Sequence, residues 1–308
     1  MAGTAITVAP EFVEETVYRA SPGQIGGMET GDAPLAPVLD KAFSRSAFLR
    51  SAVWGQLVWS GRLEAGGTAG SPSIKVGPID AVCLRAAETR SGNSVDVWRA
   101  FLEPAETTLG ISHVEGAPGS LSADTWYYVY ARSVGTSTLG WQITTSPPTD
   151  SGAPTVLRAC KRGQTANYRY LGCFRTDGSG NPIPMVMANG RYQYTDFDMA
   201  SPLHTASTAN ISTFTSALAL TSRVPPHVRQ AVIRVQTYRA SLTEARAGAR
   251  VKADGASYAV IVHDMNNASS YDVMQTDALV VLGSTQSVVA STFDTDTTCR
   301  IHVAAFNE

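Results

Sequence analysis

The sequence predicts a mainly β protein: antiparallel sheets forming β-sandwich or jelly-roll-like domains behind a short N-terminal segment with one helix. Three observations carry this. From about residue 56, apolar residues recur with a period of two, as on strands whose side chains alternate between faces. The runs are rich in Val, Ile, Tyr, Trp and Thr, which pack well on a pleated surface. Turn residues bound them at short intervals with no helical pattern between, as in sandwiches and barrels.

Residues 1–69 read differently. The stretch "ASPGQIGGMETGDAPLAP" (20–37) is too rich in Gly and Pro for a long regular element. A helix is expected near 38–53, with Val38, Leu39, Ala42, Phe43, Leu49, Val53 and Trp54 on one arc and Gly55 as its stop. The apolar positions Leu39, Phe43, Val53 and Trp54 are the candidates for fastening this segment to a larger assembly.

The first β domain is expected over 70–197, with strands at 73–87, 94–103, 126–134 and 139–146. In "WYYVYARSV", Trp126, Tyr128 and Tyr130 point one way while Tyr127, Val129 and Ala131 point the other. Both faces are apolar or aromatic, so the strand should be covered twice, by a facing sheet and by another subunit or domain. Next come two strands joined at Lys161-Arg162-Gly163. The dipeptides Asp177-Gly178, Asn181-Pro182 and Asn189-Gly190 read as hairpin turns, because Gly and Asn accept positive φ. Composition shifts at "DMASPLHTASTANIST" (198–213), which opens a C-terminal β-sandwich domain over 198–308. Its strands are expected at 230–238, 257–265, 278–284, 286–293 and 299–307.

Charged residues make up 16% of the 308, against roughly 25% in an ordinary soluble domain. Small neutral residues replace them, which suits a surface resting on copies of itself or on other subunits. A net charge of −2 excludes the basic stripe of a nucleic-acid binder. No apolar run is long enough to span a membrane, and the first residues lack the pattern of a signal peptide. The four cysteines show neither zinc nor thioredoxin spacing, and buried reduced thiols are expected. Cys160 and Cys173 flank a turn and are candidates for neighbours in one sheet.

Catalytic chemistry finds little purchase. Asp196/Asp198 and Asp294/Asp296 each put two carboxylates on one face of an extended chain, suited to glycoside hydrolysis or to Ca²⁺. Solvated loop edges explain both pairs more simply. The five histidines form no HExxH, although His263 and His302 lie in strands that could meet across a sheet. Ser-His-Asp catalysis lacks a GxSxG elbow. No cofactor, metal or catalytic residue is expected. Trp126, Tyr128, Tyr130, Trp141, Tyr170 and Phe174 are instead expected at a core or subunit boundary.

The run "TWYYVYA…ITTSPP…YRYLGCFRTDGSGNPIPM" (125–185) resembles segments of tailed-bacteriophage and prophage fibre-type virion proteins. In those proteins a Trp-Tyr strand, a Thr-Ser-Pro turn and a Tyr-Leu-Gly-x-Phe-x-Thr-Asp-x-x-Gly-Asn hairpin follow in this order. The resemblance implies a non-enzymatic tail or head fibre or spike, homotrimeric, assembled in the bacterial cytoplasm and resident in the virion. Its implied partners are itself, other virion proteins and a polysaccharide or protein receptor on the bacterial surface. Two alternatives stand beside it. One is a capsid, neck or tail decoration subunit. The other is a polysaccharide-degrading tailspike, disfavoured by the short chain and the lack of a solenoid period.

Overall fold

The computed structural model describes residues 3–6, 58–59, 61–90, 93–134, 138–150, 158–161, 168–195, 204–206, 214–239, 246–257, 260–266, 273–293 and 297–308. The helix expected near 38–53, with Leu39, Phe43, Val53 and Trp54, lies outside these residues, as do Asp196/Asp198 and Asp294/Asp296.

The protein is mainly β, with antiparallel sheets. In chain order the first strands are β1 (Gly3–Ile6), β2 (Val58–Trp59), β3 (Arg62–Gly67), β4 (Pro72–Val76), β5 (Ile79–Arg90) and β6 (Asn93–Glu103). There follow β7 (Thr107–Leu109), β8 (Trp126–Val134), β9 (Thr138–Thr144), β10 (Pro148–Asp150), β11 (Arg158–Lys161) and β12 (Tyr168–Arg175). The rest are β13 (Met185–Ala188), β14 (Arg191–Tyr194), β15 (His204–Ala206), β16 (Leu218–Ala219), β17 (Gln230–Arg239) and β18 (Arg246–Ala253). The chain closes with β19 (Val260–Asn266), β20 (Val273–Val281), β21 (Ser287–Thr292) and β22 (Thr297–Asn307).

Two compact units divide the chain. The first comprises Met1–Leu63, Gly70–Leu121 and Tyr127–Cys173; the second comprises Glu64–Ala69, Ser122–Trp126 and Phe174–Glu308. The division between Cys173 and Phe174 precedes the 197/198 line expected from composition. The physical reason is β14, which pairs with the last strand, β22, through Arg191↔Asn307, Tyr192↔Phe306 and Gln193↔Ala305.

In unit 1, a seven-stranded sheet runs in the order β12-β8-β9-β1-β6-β5-β2. Its long hairpin β5–β6 carries a register shift between Ile79 and Val82. The expected strand at 73–87 is two strands, broken at Gly77-Pro78, where proline cannot donate to a ladder. The two strands expected to join at Lys161-Arg162-Gly163 belong to different sheets. Strand β11 pairs with β10, Thr149↔Cys160, whereas β12 lies beside β8. Cys160 and Cys173 are therefore not sheet neighbours.

Unit 2 is a two-layer sandwich. Its larger sheet contains the order β20-β17-β22-β14-β13, with β15 also on β22, and the smaller runs β16-β21-β18-β19. Strands β18 and β21 pack against β17, β20 and β22. Ala249, Val251, Ala253, Val288, Ala290 and Thr292 share the buried inner face of the smaller sheet, opposed in pairs by register. The β13–β14 hairpin turns on Asn189-Gly190, at φ 51° and 77°, the double positive φ of a type I′ turn.

Strand β22 solves a problem of parity. Cys299, Ile301, Val303 and Phe306 are all buried and lie opposite the buried Thr237, Val235, Ile233 and Ala231. Alternation alone cannot place both Val303 and Phe306 inward, because they are an odd number of positions apart, with two residues between them. A register shift between Val232 and Ile233 leaves Ala304 as the extra residue of a bulge and restores the phase. Deleting Ala304 should therefore preserve the inward set and leave the unfolding midpoint near wild type. Deleting His302 should turn Cys299 and Ile301 outward and abolish cooperative unfolding in urea. Equal effects of the two deletions would refute the parity argument.

Candidate functional site: two aromatic clusters

Of the side chains singled out from sequence, Tyr128, Tyr130 and Tyr170 cluster in unit 1, and Trp126 joins a second cluster in unit 2. In unit 1 the residues Tyr127–Ala131 of β8 are all buried, so both faces of this strand are covered within a single chain. Tyr130 meets Tyr168 edge-on at 6.2 Å and Tyr170 at 5.6 Å, and Tyr128 lies 6.3 Å from Tyr170. These are favourable ring separations. The Tyr130 hydroxyl donates to the Ser146 carbonyl at 3.0 Å, which lets a fully buried phenol sit in the core without an orphaned polar atom. Trp141 is buried on the neighbouring strand β9, and Tyr170 is half-buried.

Trp126 departs from the tyrosines it alternates with. It belongs to unit 2, where it meets Phe306 edge-on at 6.1 Å and donates its indole N–H to the Thr221 carbonyl at 3.0 Å. Phe306 is the hub. Tyr192 stacks on it at 4.4 Å and 13°, and Tyr194 lies 6.3 Å away. The hydroxyl of Tyr192 donates to Glu308 Oε2 at 2.8 Å, and His227 Nε2 is 2.6 Å from Glu308 Oε1. Phe174 is fully buried in the same unit. Sequence reasoning missed Phe306 and Tyr192 as partners, since only cross-strand register brings positions 114 residues apart into one stack.

The Asp177 turn is built from its own polar groups. Its carboxylate accepts backbone N–H bonds from Ser179 at 2.8 Å and Asn181 at 2.9 Å, and Thr176 Oγ1 donates to the Ser122 carbonyl at 2.7 Å. Burial pushes the Asp177 carboxyl up, but the hydrogen bonds from Asn181, Ser179 and Gly180 outweigh it and hold the group below its ordinary value. The turn's contribution is thus present above the unfolded carboxyl pKa and lost as pH falls through the depressed one.

His263 on β19 pairs with Ala249, while His302 on β22 pairs with Arg234, so they stand in different sheets and not across one. Among the described residues no three His, Cys, Asp or Glu converge as a metal site. None of their helices is long and apolar enough to cross a membrane. No protein-family model matches the chain, and no curated protein matches it.

Tyr128 is 3% exposed, so Tyr128→Asp should cost several kcal/mol by stranding a charge. Tyr130→Phe, which removes only the bond to Ser146, should cost about 1 kcal/mol; urea midpoints compare the two. Separately, burial pushes the Cys299 thiol up to about 12. The unfolded thiol ionises near ~8.5, so stability should fall as pH rises from there towards the native value. Native Cys299 should resist iodoacetamide at pH 8 and react once unfolded; rapid labelling mapped to Cys299 in the folded chain would contradict its burial.

Proposed function

We propose that this chain is a non-enzymatic structural subunit of a tailed-phage virion, a tail or head fibre or spike that self-associates and presents its β units towards a host surface. The observation that carries the reading is how residues 125–185 are used. Their motif residues serve as scaffold: tyrosines fill the core of unit 1, and Thr125, Thr176 and Asp177 hold a turn together through their own hydrogen bonds. A motif spent on structure suits a protein whose task is to be a shape. The homotrimer comes from the resemblance, as do other virion proteins and a bacterial surface polysaccharide or protein as partners.

On this reading, self-contact is sought away from the centre of β8. Residues Tyr127–Ala131 of β8 are closed on both faces, so they supply no open apolar surface for a second copy. Leu279 and Val281 do: they are 55% and 66% exposed on one face of β20, which ends its sheet. Exposed aliphatic pairs on an edge strand favour association.

Light scattering on the full chain should give three times the 32.6 kDa monomer, and the double variant Leu279→Glu/Val281→Glu should give the monomer. A wild-type monomer or dimer would remove the three-fold assignment. Antibodies raised against the chain should decorate tailed particles in electron micrographs of a host lysate, and undecorated particles would remove the virion assignment.

A further inference from the structure

The outer face of the smaller sheet in unit 2 carries an arginine whose best donors are unspent. Arg250 on β18 is half-buried, and its Nε and Nη2 are buried with no hydrogen-bond partner among the described residues. Opposite it on β21 stands Ser291, 0% exposed, whose hydroxyl is likewise buried and unpartnered. Residues directly opposed in an antiparallel pair share a face, so these donors point to the same side. Two positions along β18, Lys252 brings a second cation, its Nζ donating to the Ala256 carbonyl at 2.9 Å.

One aromatic ring roofs this group. Phe214 lies 5.0 Å from the Arg250 guanidinium and 4.5 Å from the Lys252 ammonium. It is fixed from its neighbour: Thr215 exchanges two hydrogen bonds with Ala290 of β21, N–H to carbonyl at 2.8 Å and N–H to Oγ1 at 3.1 Å. Because β21 lies between β16 and β18, the ring crosses the face of β21 that holds Val289 and Ser291 to reach the cations.

The same molecule shows what this arginine edge does when an acceptor is provided. On the facing sheet, Arg234 grips Asp277 through the corresponding atoms, Nε to Oδ1 at 2.6 Å and Nη2 to Oδ2 at 2.8 Å. At Arg250 the opposed residues are Ser291 and Ile261, and neither is a carboxylate. Buried donors left unpaired are costly, and an Nε–Nη2 edge matches the two oxygens of a carboxylate.

We infer that Arg250, Ser291 and Lys252 form a binding site for an external carboxylate carried on an apolar or ring carbon, with Phe214 as its movable cover. Arg250 holds the carboxylate oxygens as Arg234 holds Asp277, Ser291 adds a third donor, and Lys252 supplies the second positive charge. Val289, on the strand face that the ring crosses, receives the carbon skeleton once Phe214 moves aside. The inference rests on unit 2 alone and stands whether or not the virion reading does.

The test follows the arginine Nε–H signals of the full chain by NMR during titration with sodium acetate, sodium glucuronate or sodium sulfate at constant ionic strength. One signal, absent in Arg250→Lys, should shift saturably with both carboxylates and at least about fivefold more weakly with sulfate. Ser291→Ala should weaken carboxylate binding by roughly five- to tenfold, the loss of one hydrogen bond. Phe214→Ala should tighten it, because no ring has to move. Arg250→Met should melt no lower than wild type, since its unpaired donors stabilise nothing. No saturable shift at the Arg250 signal, an equal response to sulfate, or a melting loss of several degrees in Arg250→Met would each overturn the site.

Discussion

Unit 2 hangs on the saturation of one strand. Along one edge β22 pairs with β17 from Thr297 to Asn307; along the other, β15 takes its first half and β14 its end. A strand bonded on both edges and buried on both faces must present apolar residues nearly continuously, and Ile301–Phe306 do so. Its last aromatic then organises the surroundings. Phe306 can hold Tyr192, Tyr194 and Trp126 around one ring only because β14 is in register beside it and the bulge keeps it inward. Residues 122–126 join this unit for the same reason: the Trp126 indole belongs to Phe306, and the backbone around Thr125 is tied to Thr176.

Unit 1 meets the same demand with tyrosine. Phenylalanine would bury as much carbon, but a phenol can also answer a backbone carbonyl at the end of a sheet, as Tyr130 answers Ser146. Closure of β8 inside one chain has a consequence for assembly. An apolar strand argues for burial and does not say what performs it. Any surface for association has to be sought among residues that remain exposed; the large aliphatic ones among the described residues are Val134 at the end of β8 and Leu279 and Val281 on β20.

The strands most legible in the sequence were those with large side chains and clean ends. Strand β8 runs over 126–134 as the alternation of "WYYVYARSV" implies, and the Asn189-Gly190 hairpin follows from turn chemistry alone. What was illegible depended on partners distant in sequence. The assignment of Phe174–Tyr194 to unit 2 is set by the pairing of β14 with β22, and no local composition reports it. The bulge at Ala304 is invisible too, since Val303-Ala304-Ala305-Phe306 reads as one apolar run.

Strand β18 is the instructive omission, because its signal was present and weak. From Gly248 onward the strand alternates, with Ala249, Val251 and Ala253 on one face and Gly248, Arg250 and Lys252 on the other. A period-two pattern of alanine against cations has low hydrophobic amplitude, so it resembles a polar loop. Small side chains suffice on its inner face because bulk comes from across the sandwich and from Val288 beside it. The outer face follows a different logic. Had β18 needed only solubility, its cations could have extended into water or found a carboxylate, as Arg234 found Asp277. Arg250 lies beneath Phe214 instead, its Nε and Nη2 without a hydrogen-bond partner among the described residues. The alternation that hides β18 in the sequence also places Arg250 and Lys252 side by side on one face, under one ring.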